Sequence, residues 1–399
     1  MPGMHFAAIR LIVISVAVLA QVYLFVRIRQ AIKSSQRSRR FKSFTTVLVA
    51  VAIALLFAAN RYVMLNPISR VDSPLTERIV LFYLPAVWGV GSILSALILC
   101  LTQCLAGLGR KAIRIFRGPA GQSASPPMNP GRRHFLQAGV GVLAAAPFML
   151  SGYGAAYAGK NFVVRELTFP FGRSLQVVQI TDIHCGIYMT TKELRRLADQ
   201  VIALKPDLFV LTGDYISNSM VFLPGCVEEM SRVRARYGTF ATLGNHEHWY
   251  GKIGEIKEVF SQYHIPLLIN THRLIRSEHG PFAVAGIDDL RSGQPDLDAA
   301  LSGLDSDTPA ILLSHRPEIF PLAAEHNVRL TLAGHYHGGQ IKLGLPGAGI
   351  SLADLLTPYP EGPYRIAASN LYVSRGIGTT FTPVRLNVPP EITLLNLTV

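Results

Sequence analysis

Hydrophobic residues are distributed unevenly along the 399-residue chain. Three long apolar stretches come first, at 6–26, 44–59 and 79–101, and a fourth at 135–158 is weaker and rich in glycine and alanine. The first and third are long enough to cross a bilayer as helices, whereas the second needs its flanking residues to do so. We therefore expect an all-α transmembrane region of about three spans in 1–116, with a fourth span or a signal-like segment at 135–158.

From residue 160 onward, short apolar runs alternate with charged stretches of helical spacing. Helical spacing is found in 190–204, 226–238 and 253–263. The predicted strands are 162–169, 175–181, 208–213, 239–244, 282–287, 310–314, 329–334, 371–376 and 392–399. This alternation predicts an α/β domain over 160–399 with an at least partly parallel sheet.

Basic residues are concentrated in the loops between the apolar stretches. The loop 27–42 has seven Lys/Arg and no acid, the loop 60–78 is mixed, and 102–133 is basic again. Because basic loops stay in the cytoplasm, four spans would place everything after residue 158 on the non-cytoplasmic side.

The net charge of +13 does not indicate a nucleic-acid partner. Residues 1–159 hold 17 Lys/Arg and two acids, whereas 160–399 hold 21 Lys/Arg and 23 acids. The basic excess thus belongs wholly to the apolar half. No nucleic-acid binding is expected from charge.

The segment 117–134 reads as a cytoplasmic linker rich in proline, glycine and serine, and it ends in a twin-arginine-like motif. Four positions of "GRRHFLQAG" match an export signal of that kind, namely Arg132, Arg133, Phe135 and Leu136. The alternative is a basic flank on an ordinary span. The export interpretation would place a cleavage site after Ala158.

The four cysteines do not indicate a disulfide framework or a structural zinc site, since no pair has zinc-finger spacing. Cys185 and Cys226 could bridge in an oxidising compartment. Two free thiols are the commoner outcome for one such pair.

Five of the predicted strands are each followed by polar residues that can bind metals. The residues are Asp182 and His184, Asp214, Asn245 with His246 and Glu247, His315, and His335 with His337. The carboxyl ends of strands in open α/β sheets line the ligand crevice, so we expect these side chains to converge.

The ligand types favour two divalent ions. Two aspartates, an asparagine and four histidines offer oxygen and imidazole ligands, which suit Mn, Fe, Zn or a similar ion. Seven ligands exceed one tetrahedral site and fit two ions that share a carboxylate. The chemistry implied is attack on phosphorus by metal-bound hydroxide.

The motifs D-x-H, G-D, G-N-H-E, a lone histidine and G-H-x-H occur in this order within 160–399, and they resemble the calcineurin-like metallophosphoesterases. "GHYHGGQ" and the tail "YVSRGIGTTFTPVRLNVPPEITLL" resemble the bacterial, membrane-associated phosphodiesterase branch. The resemblance implies a two-sheet β-sandwich flanked by helices and a location in a bacterial inner or cell membrane.

The resemblance also implies a role for each ligand. One metal would take Asp182, His184 and His337, and the other Asn245, His315 and His335. Asp214 would bridge the two metals. His246 would protonate the leaving oxygen or stabilise the transition state, oriented by Glu247.

The expected function is a membrane-anchored, di-metal phosphoesterase that favours phosphodiesters, with lipid-linked or envelope phosphoesters as candidate substrates. The alternative is a broad phosphodiesterase that acts on soluble or nucleotide phosphodiesters. A non-catalytic metal-binding membrane scaffold is less favoured, because every expected ligand position is filled.

Overall fold

The computed structural model describes residues 2–65, 74–117, 130–344, 349–380 and 382–399. The chain forms two compact units, one of Met1–Leu65 with Ile79–Tyr153 and one of Asn66–Arg78 with Gly154–Val399. Residues 118–129 of the expected linker lie outside the described residues, as do the side chains of Arg132 and Arg133 in the twin-arginine-like motif.

All four apolar stretches are helical. The helices are α1 (Pro2–Ser34), α2 (Arg39–Leu65), α3 (Leu75–Arg78) with a π-helical turn (Ile79–Tyr83), α4 (Leu84–Arg117) and α5 (Pro130–Ala156). Among the residues that the structure describes, four segments are long and apolar enough to cross a membrane: Ile14–Ser34, Arg39–Ala59, Leu75–Ile113 and Ala138–Ala156.

A polar contact joins α1 to α4 inside the first unit. The Nε2 of Gln21 donates to Ser92 Oγ at 2.6 Å, and the Nε1 of Trp88 donates to Gln21 Oε1 at 2.7 Å. Buried Ala20 and Ala96 lie in the same cluster. Small residues together with hydrogen-bonded polar residues are typical of helix contacts within a bilayer.

The second unit contains two mixed sheets. The first has the order β1 (Val163–Pro170), β11 (Glu391–Thr398), β2 (Leu175–Ile180), β3 (Leu208–Thr212) and β4 (Thr239–Thr242). The second has the order β5 (Thr271–Ser277), β6 (Gly280–Gly286), β7 (Ala310–Leu313), β8 (Leu330–Ala333), β10 (Ser369–Val373) and β9 (Gly362–Ile366). Strands β2, β3 and β4 run parallel, as do β6, β7, β8 and β10.

The two sheets pack face to face. Val177, Val210 and Leu395 of the first sheet share a buried cluster with Phe282 and Leu313 of the second. Alternate residues of the first sheet point to its other face, because strand side chains alternate in direction. The outer face of the first sheet is covered by α6 (Thr191–Ala203), α7 (Leu223–Ser231) and α9 (Ile253–Gln262), and that of the second by α10 (Leu297–Leu301) and α11 (Phe320–Glu325). Two further short helices, α8 (Asn245–Tyr250) and α12 (Ala353–Leu356), lie after β4 and before β9. The expected helix-flanked sandwich is confirmed.

Two features of this unit differ from the sequence prediction. Strands β5 and β9 were not predicted, and they are the two edge strands of the second sheet. Their residues are mostly half-buried or exposed, and they lack an apolar run. The helix expected over 226–238 ends at Ser231, where the chain turns toward β4. Across both units, all four cysteines are free thiols, the outcome that the sequence favoured for Cys185 and Cys226, and these two are buried.

Candidate metal centre

The sequence-predicted ligands converge where five strands end. The loops after β2, β3 and β4 of the first sheet meet those after β7 and β8 of the second. Three groups have ligand atoms within 4.8 Å of one another, namely Asp182–His184–His337, His184–Asp214–His246 and Asp214–His315–His335. The remaining predicted ligand, Asn245, joins them through Arg316, whose Nη2 donates to Asn245 Oδ1 at 3.2 Å and whose Nη1 contacts His335.

The first group aims its potential ligand atoms at one point. The Nε2 atoms of His184 and His337 lie 3.0 Å apart, and His337 Nε2 lies 3.3 Å from Asp182 Oδ1. The hydroxyl of Thr380 lies 3.1 Å from His184 Nε2 and 3.0 Å from His337 Nε2. Two imidazole nitrogens and a carboxylate oxygen so close together suit a shared cation.

The second group is joined to the first through Asp214. His315 Nε2 lies 3.1 Å from His335 Nδ1 and 3.2 Å from Asp214 Oδ2. The same Asp214 oxygen lies 3.6 Å from His184 Nε2. Asp214 therefore faces both groups, which fits a bridging carboxylate. The i, i+2 histidines His335 and His337 belong to different groups, as the family resemblance implies.

The backbone that carries the ligands is unusual. Five of them have left-handed φ values, namely Asp182 (52°), His184 (48°), Asp214 (56°), His335 (76°) and His337 (52°). This region costs a residue with a Cβ roughly 1–2 kcal/mol, and such strain clusters at functional sites. The backbone at Gly334 also lies very close to the Asp182 carboxylate, because a Cβ added to Gly334 would lie 2.2 Å from Asp182 Oδ2.

The charges of the centre fit divalent cations. Burial opposes ionisation of Asp182 and Asp214, but His337 and His315 respectively hold the pKa of each carboxyl below its usual value. Burial also opposes charge on His315, yet Asp214 raises its pKa to about 10. Burial, with neighbouring positive charge, lowers the pKa of His335. Two ionised carboxylates and a neutral His335 imidazole are donors that a divalent metal would take, and such a metal would replace the proton that Asp214 favours on His315.

His246 and Glu247 occupy the first turn of α8. The Nδ1 of His246 lies 2.6 Å from the carbonyl of Ser217 and donates to it, while its Nε2 lies 3.9 Å from Asp214 Oδ2. A backbone carbonyl thus orients the imidazole of His246, whereas the sequence analysis expected Glu247 to orient it. The reason is that the carboxylate of Glu247 folds back onto the start of its own helix.

Glu247 accepts a set of backbone hydrogen bonds. The donors are the N–H groups of Gly244 at 2.9 Å, Asp214 at 2.8 Å, Tyr215 at 2.8 Å and Ile216 at 3.4 Å. Burial and the nearby Asp214 charge raise the pKa of Glu247 to about 7, and the Gly244 N–H opposes this rise. Glu247 therefore joins the loop of Asp214 to the loop of Asn245 and His246.

Two buried arginines near the ligands were not predicted. Arg316 donates from Nε to Asp289 Oδ1 at 2.9 Å and from Nη1 to His335 Nε2. Arg385 donates from Nη2 to His337 Nδ1 at 3.2 Å and from Nε to the carbonyl of Gly378 at 2.9 Å. Each contacts a predicted ligand histidine through the ring nitrogen that faces away from the other predicted ligands. The only sequence clue to these arginines is their position: Arg316 follows His315, and Arg385 lies in the C-terminal tail quoted above.

Comparison with known proteins agrees with this geometry. A family model for calcineurin-like phosphoesterases matches residues 175–339. The uncharacterised metallophosphoesterase YkuE of Bacillus subtilis is 31% identical over 283 residues, which cover 67% of this chain and 97% of that protein. The uncharacterised metallophosphoesterase Cj0846 of Campylobacter jejuni is 32% identical over 232 residues, 56% of this chain and 59% of that one.

A vertebrate relative is also similar. The transmembrane protein with metallophosphoesterase domain of Danio rerio is 29% identical over 264 residues, which cover 61% of this chain and 59% of its own. The chain thus spans about three fifths of the length of this relative and of the Campylobacter protein, but nearly all of the Bacillus protein. The chain belongs to the calcineurin-like metallophosphoesterases, a family of metal-dependent hydrolases.

Proposed function

We propose that the chain is a membrane-anchored, di-metal phosphodiesterase that acts on lipid-linked or envelope phosphodiesters on the non-cytoplasmic side of a bacterial membrane. The observation that carries the proposal is the position of Asp214 between two groups of buried ligands. The four apolar helices support the anchoring, and the C-terminal tail motif supports a preference for diesters. Hydrolysis of soluble or nucleotide phosphodiesters is the alternative.

The ligands divide between two ions of Mn, Fe, Zn or a similar metal. One set is Asp182, His184 and His337, and the other is Asn245, His315 and His335. Asp214 would contribute to both. When bound, two such ions supply an acidified water and positive charge that neutralises the phosphoryl oxygens.

The remaining residues position groups and move a proton. The hydrogen bond from His246 Nδ1 to Ser217 O fixes the imidazole, so that Nε2 is the nitrogen that faces Asp214 and the reacting centre. That nitrogen can hold a proton and deliver it to the leaving oxygen. Arg316 keeps Asn245 and His335 in place from the protein side.

The test of this function uses the full chain, purified in detergent, stripped of metal and then given Mn²⁺, Fe²⁺ or Zn²⁺. Substrates are bis(p-nitrophenyl) phosphate, p-nitrophenyl phosphate, a cyclic nucleotide and a phospholipid in vesicles. We expect metal-dependent turnover of the diester and the phospholipid that Asp214→Asn abolishes and the exposed-site control His279→Ala retains. Turnover of the monoester or the cyclic nucleotide alone would contradict the proposed substrate class.

The proposed topology has its own test. A cysteine at Gln36, in the first basic loop, and one at His279, in the catalytic unit, are each introduced into a Cys100→Ser/Cys104→Ser background. An impermeant maleimide should label His279→Cys in intact spheroplasts and Gln36→Cys only after lysis. The opposite pattern would place the catalytic unit in the cytoplasm.

A further inference from the structure

Five large apolar side chains are exposed within a short stretch that follows the G-H-x-H motif. We call them the apolar patch: Leu343, Ile350, Leu352, Leu355 and Leu356, which are 53% to 76% exposed. A single exposed leucine is ordinary on a protein surface. Several exposed together mark an interaction surface for a protein or a membrane.

The apolar patch has a defined backbone. Leu343 and Ile350 face each other across an antiparallel bridge with two hydrogen bonds of 2.9 Å. Leu352 precedes α12, whose Ala353 is buried while Leu355 and Leu356 point outward. This arrangement holds the apolar side chains at the surface.

The charged side chains beside the apolar patch are engaged locally. Asp354 accepts hydrogen bonds from Ser351 N at 2.7 Å and Ser351 Oγ at 2.6 Å, and Lys342 pairs with Glu361. Because both charges already have partners, contact with an apolar phase does not require either of them to lose its partner.

The apolar patch borders the metal centre. Gly339 lies two residues after the ligand His337, and a Cβ on it would lie 2.2 Å from the Cβ of Ser351. The next residue, Gln340, accepts a hydrogen bond from Thr380 N at 2.8 Å, and the Thr380 hydroxyl contacts His337 Nε2 at 3.0 Å. The stretch that carries the apolar patch therefore packs on the turn that holds a metal ligand.

The apolar patch is also connected to the point where the chain leaves its fourth candidate span, Ala138–Ala156. Lys342 N donates to Leu386 O at 3.0 Å, and Arg385 N donates to Gly154 O at 3.4 Å. A Cβ on Gly154 would lie 2.7 Å from Arg385 O. Gly154 begins the catalytic unit and lies within the last turn of that span. Contacts within the catalytic unit thus link the segment that carries the apolar patch to the residue at which the chain leaves the span.

We propose that the apolar patch inserts into the interfacial region of the bilayer that anchors the chain. Docking there presents the metal centre to phosphodiesters in lipid headgroups, so substrate is taken from the membrane surface. This substrate assignment rests on the proposed function. The docking itself rests on exposure, on local engagement of charge and on continuity with the end of the span.

Docking is tested without any catalytic readout. The full chain carrying Leu355→Trp is reconstituted into vesicles whose lipids have brominated acyl chains, and the wild-type signal from Trp88 and Trp249 is subtracted. The matched control is Leu274→Trp, at a leucine 52% exposed on edge strand β5, at the other end of the sheet from β9. We expect bromine to quench the added tryptophan at 355 but not at 274. The absence of quenching at 355 would overturn the proposal. A blue shift of the emission without quenching would also overturn it, because that result would indicate contact with a second copy of the protein.

The substrate consequence is tested by comparing two diesters. Leu352→Ser/Leu355→Ser/Leu356→Ser should lower kcat/KM for a phospholipid in vesicles at least about tenfold and leave turnover of bis(p-nitrophenyl) phosphate unchanged, while Leu274→Ser changes neither. An equal loss on both substrates, or no loss, would contradict the assignment. If the wild type cleaves bis(p-nitrophenyl) phosphate but no lipid, the lipid assignment fails, and the quenching experiment still decides the docking.

Discussion

The Oε2 of Glu247 accepts the backbone N–H of Asp214 at 2.8 Å, so a residue of α8 fixes the loop that carries the proposed bridging carboxylate. Glu247→Gln replaces one acceptor oxygen with an NH₂ group that faces backbone donors. We expect a stability loss of about 2 kcal/mol and a metal affinity about 10–100-fold lower. Thermal unfolding and metal titration measure these, with exposed Glu255→Gln as the control. An unchanged metal affinity would mean that Glu247 does not position Asp214.

Arg316 is expected to set the affinity of the second set of ligands for its metal ion. Its guanidinium contacts Asp289, Asn245 and His335 together, a geometry that a lysine ammonium cannot reproduce. Arg316→Lys should weaken binding of one ion about 10–100-fold and leave the other ion unchanged. Competitive metal titration separates the two sites, and the exposed Arg291→Lys is the control. Equal weakening at both sites would assign Arg316 a general structural role.

His246 is expected to matter most for poor leaving groups. If its Nε2 protonates the leaving oxygen, His246→Ala should lower kcat about 10²–10⁴-fold for an alkyl phosphodiester. The loss should be much smaller for a p-nitrophenyl ester, whose leaving group departs without a proton. Rates for a series of leaving groups measure this, with His279→Ala as the control. The same loss across the series would contradict proton donation.

The pair of His248 and Asp288 predicts a pH-dependent stability. Their side chains lie 2.6 Å apart, and this hydrogen bond raises the pKa of His248 above its usual 6.5. The stabilisation is therefore complete below about pH 6.5 and is lost as the pH rises through the raised pKa. His248→Asn should cost about 1.5 kcal/mol at acidic pH and less at alkaline pH. Unfolding of the two proteins at matched pH values measures the difference. A cost that grows with pH would contradict the pairing.

The core strands and the ligand-bearing loops could be predicted from the sequence because burial leaves a clear pattern. Strands such as β3 and β7 are short apolar runs, and each is followed directly by a metal-binding side chain. The edge strands β5 and β9 carry no such pattern, because one side of each faces solvent rather than another strand. Their pairing depends on the neighbouring strand, and a local sequence pattern does not contain that information.

The residues that support the ligands could not be predicted from the sequence either. Arg316 and Arg385 contact histidines through guanidinium groups whose direction is set by the packing of distant loops. The environment of Glu247 is similar, since four backbone donors from two loops surround its carboxylate only after those loops fold. The family resemblance placed Glu247 near the centre, but it did not give the groups that Glu247 binds.

The central claim is that Asp214 joins two metal ions in one hydrolytic centre. The most direct test is to titrate metal into the stripped, full-length protein and to follow bound metal and hydrolysis of bis(p-nitrophenyl) phosphate together. We predict that activity appears with the second ion bound per chain and that Asp214→Asn loses both the second ion and the activity, whereas His279→Ala behaves as wild type. Full activity with a single ion, or in the stripped protein, would contradict the two-metal account.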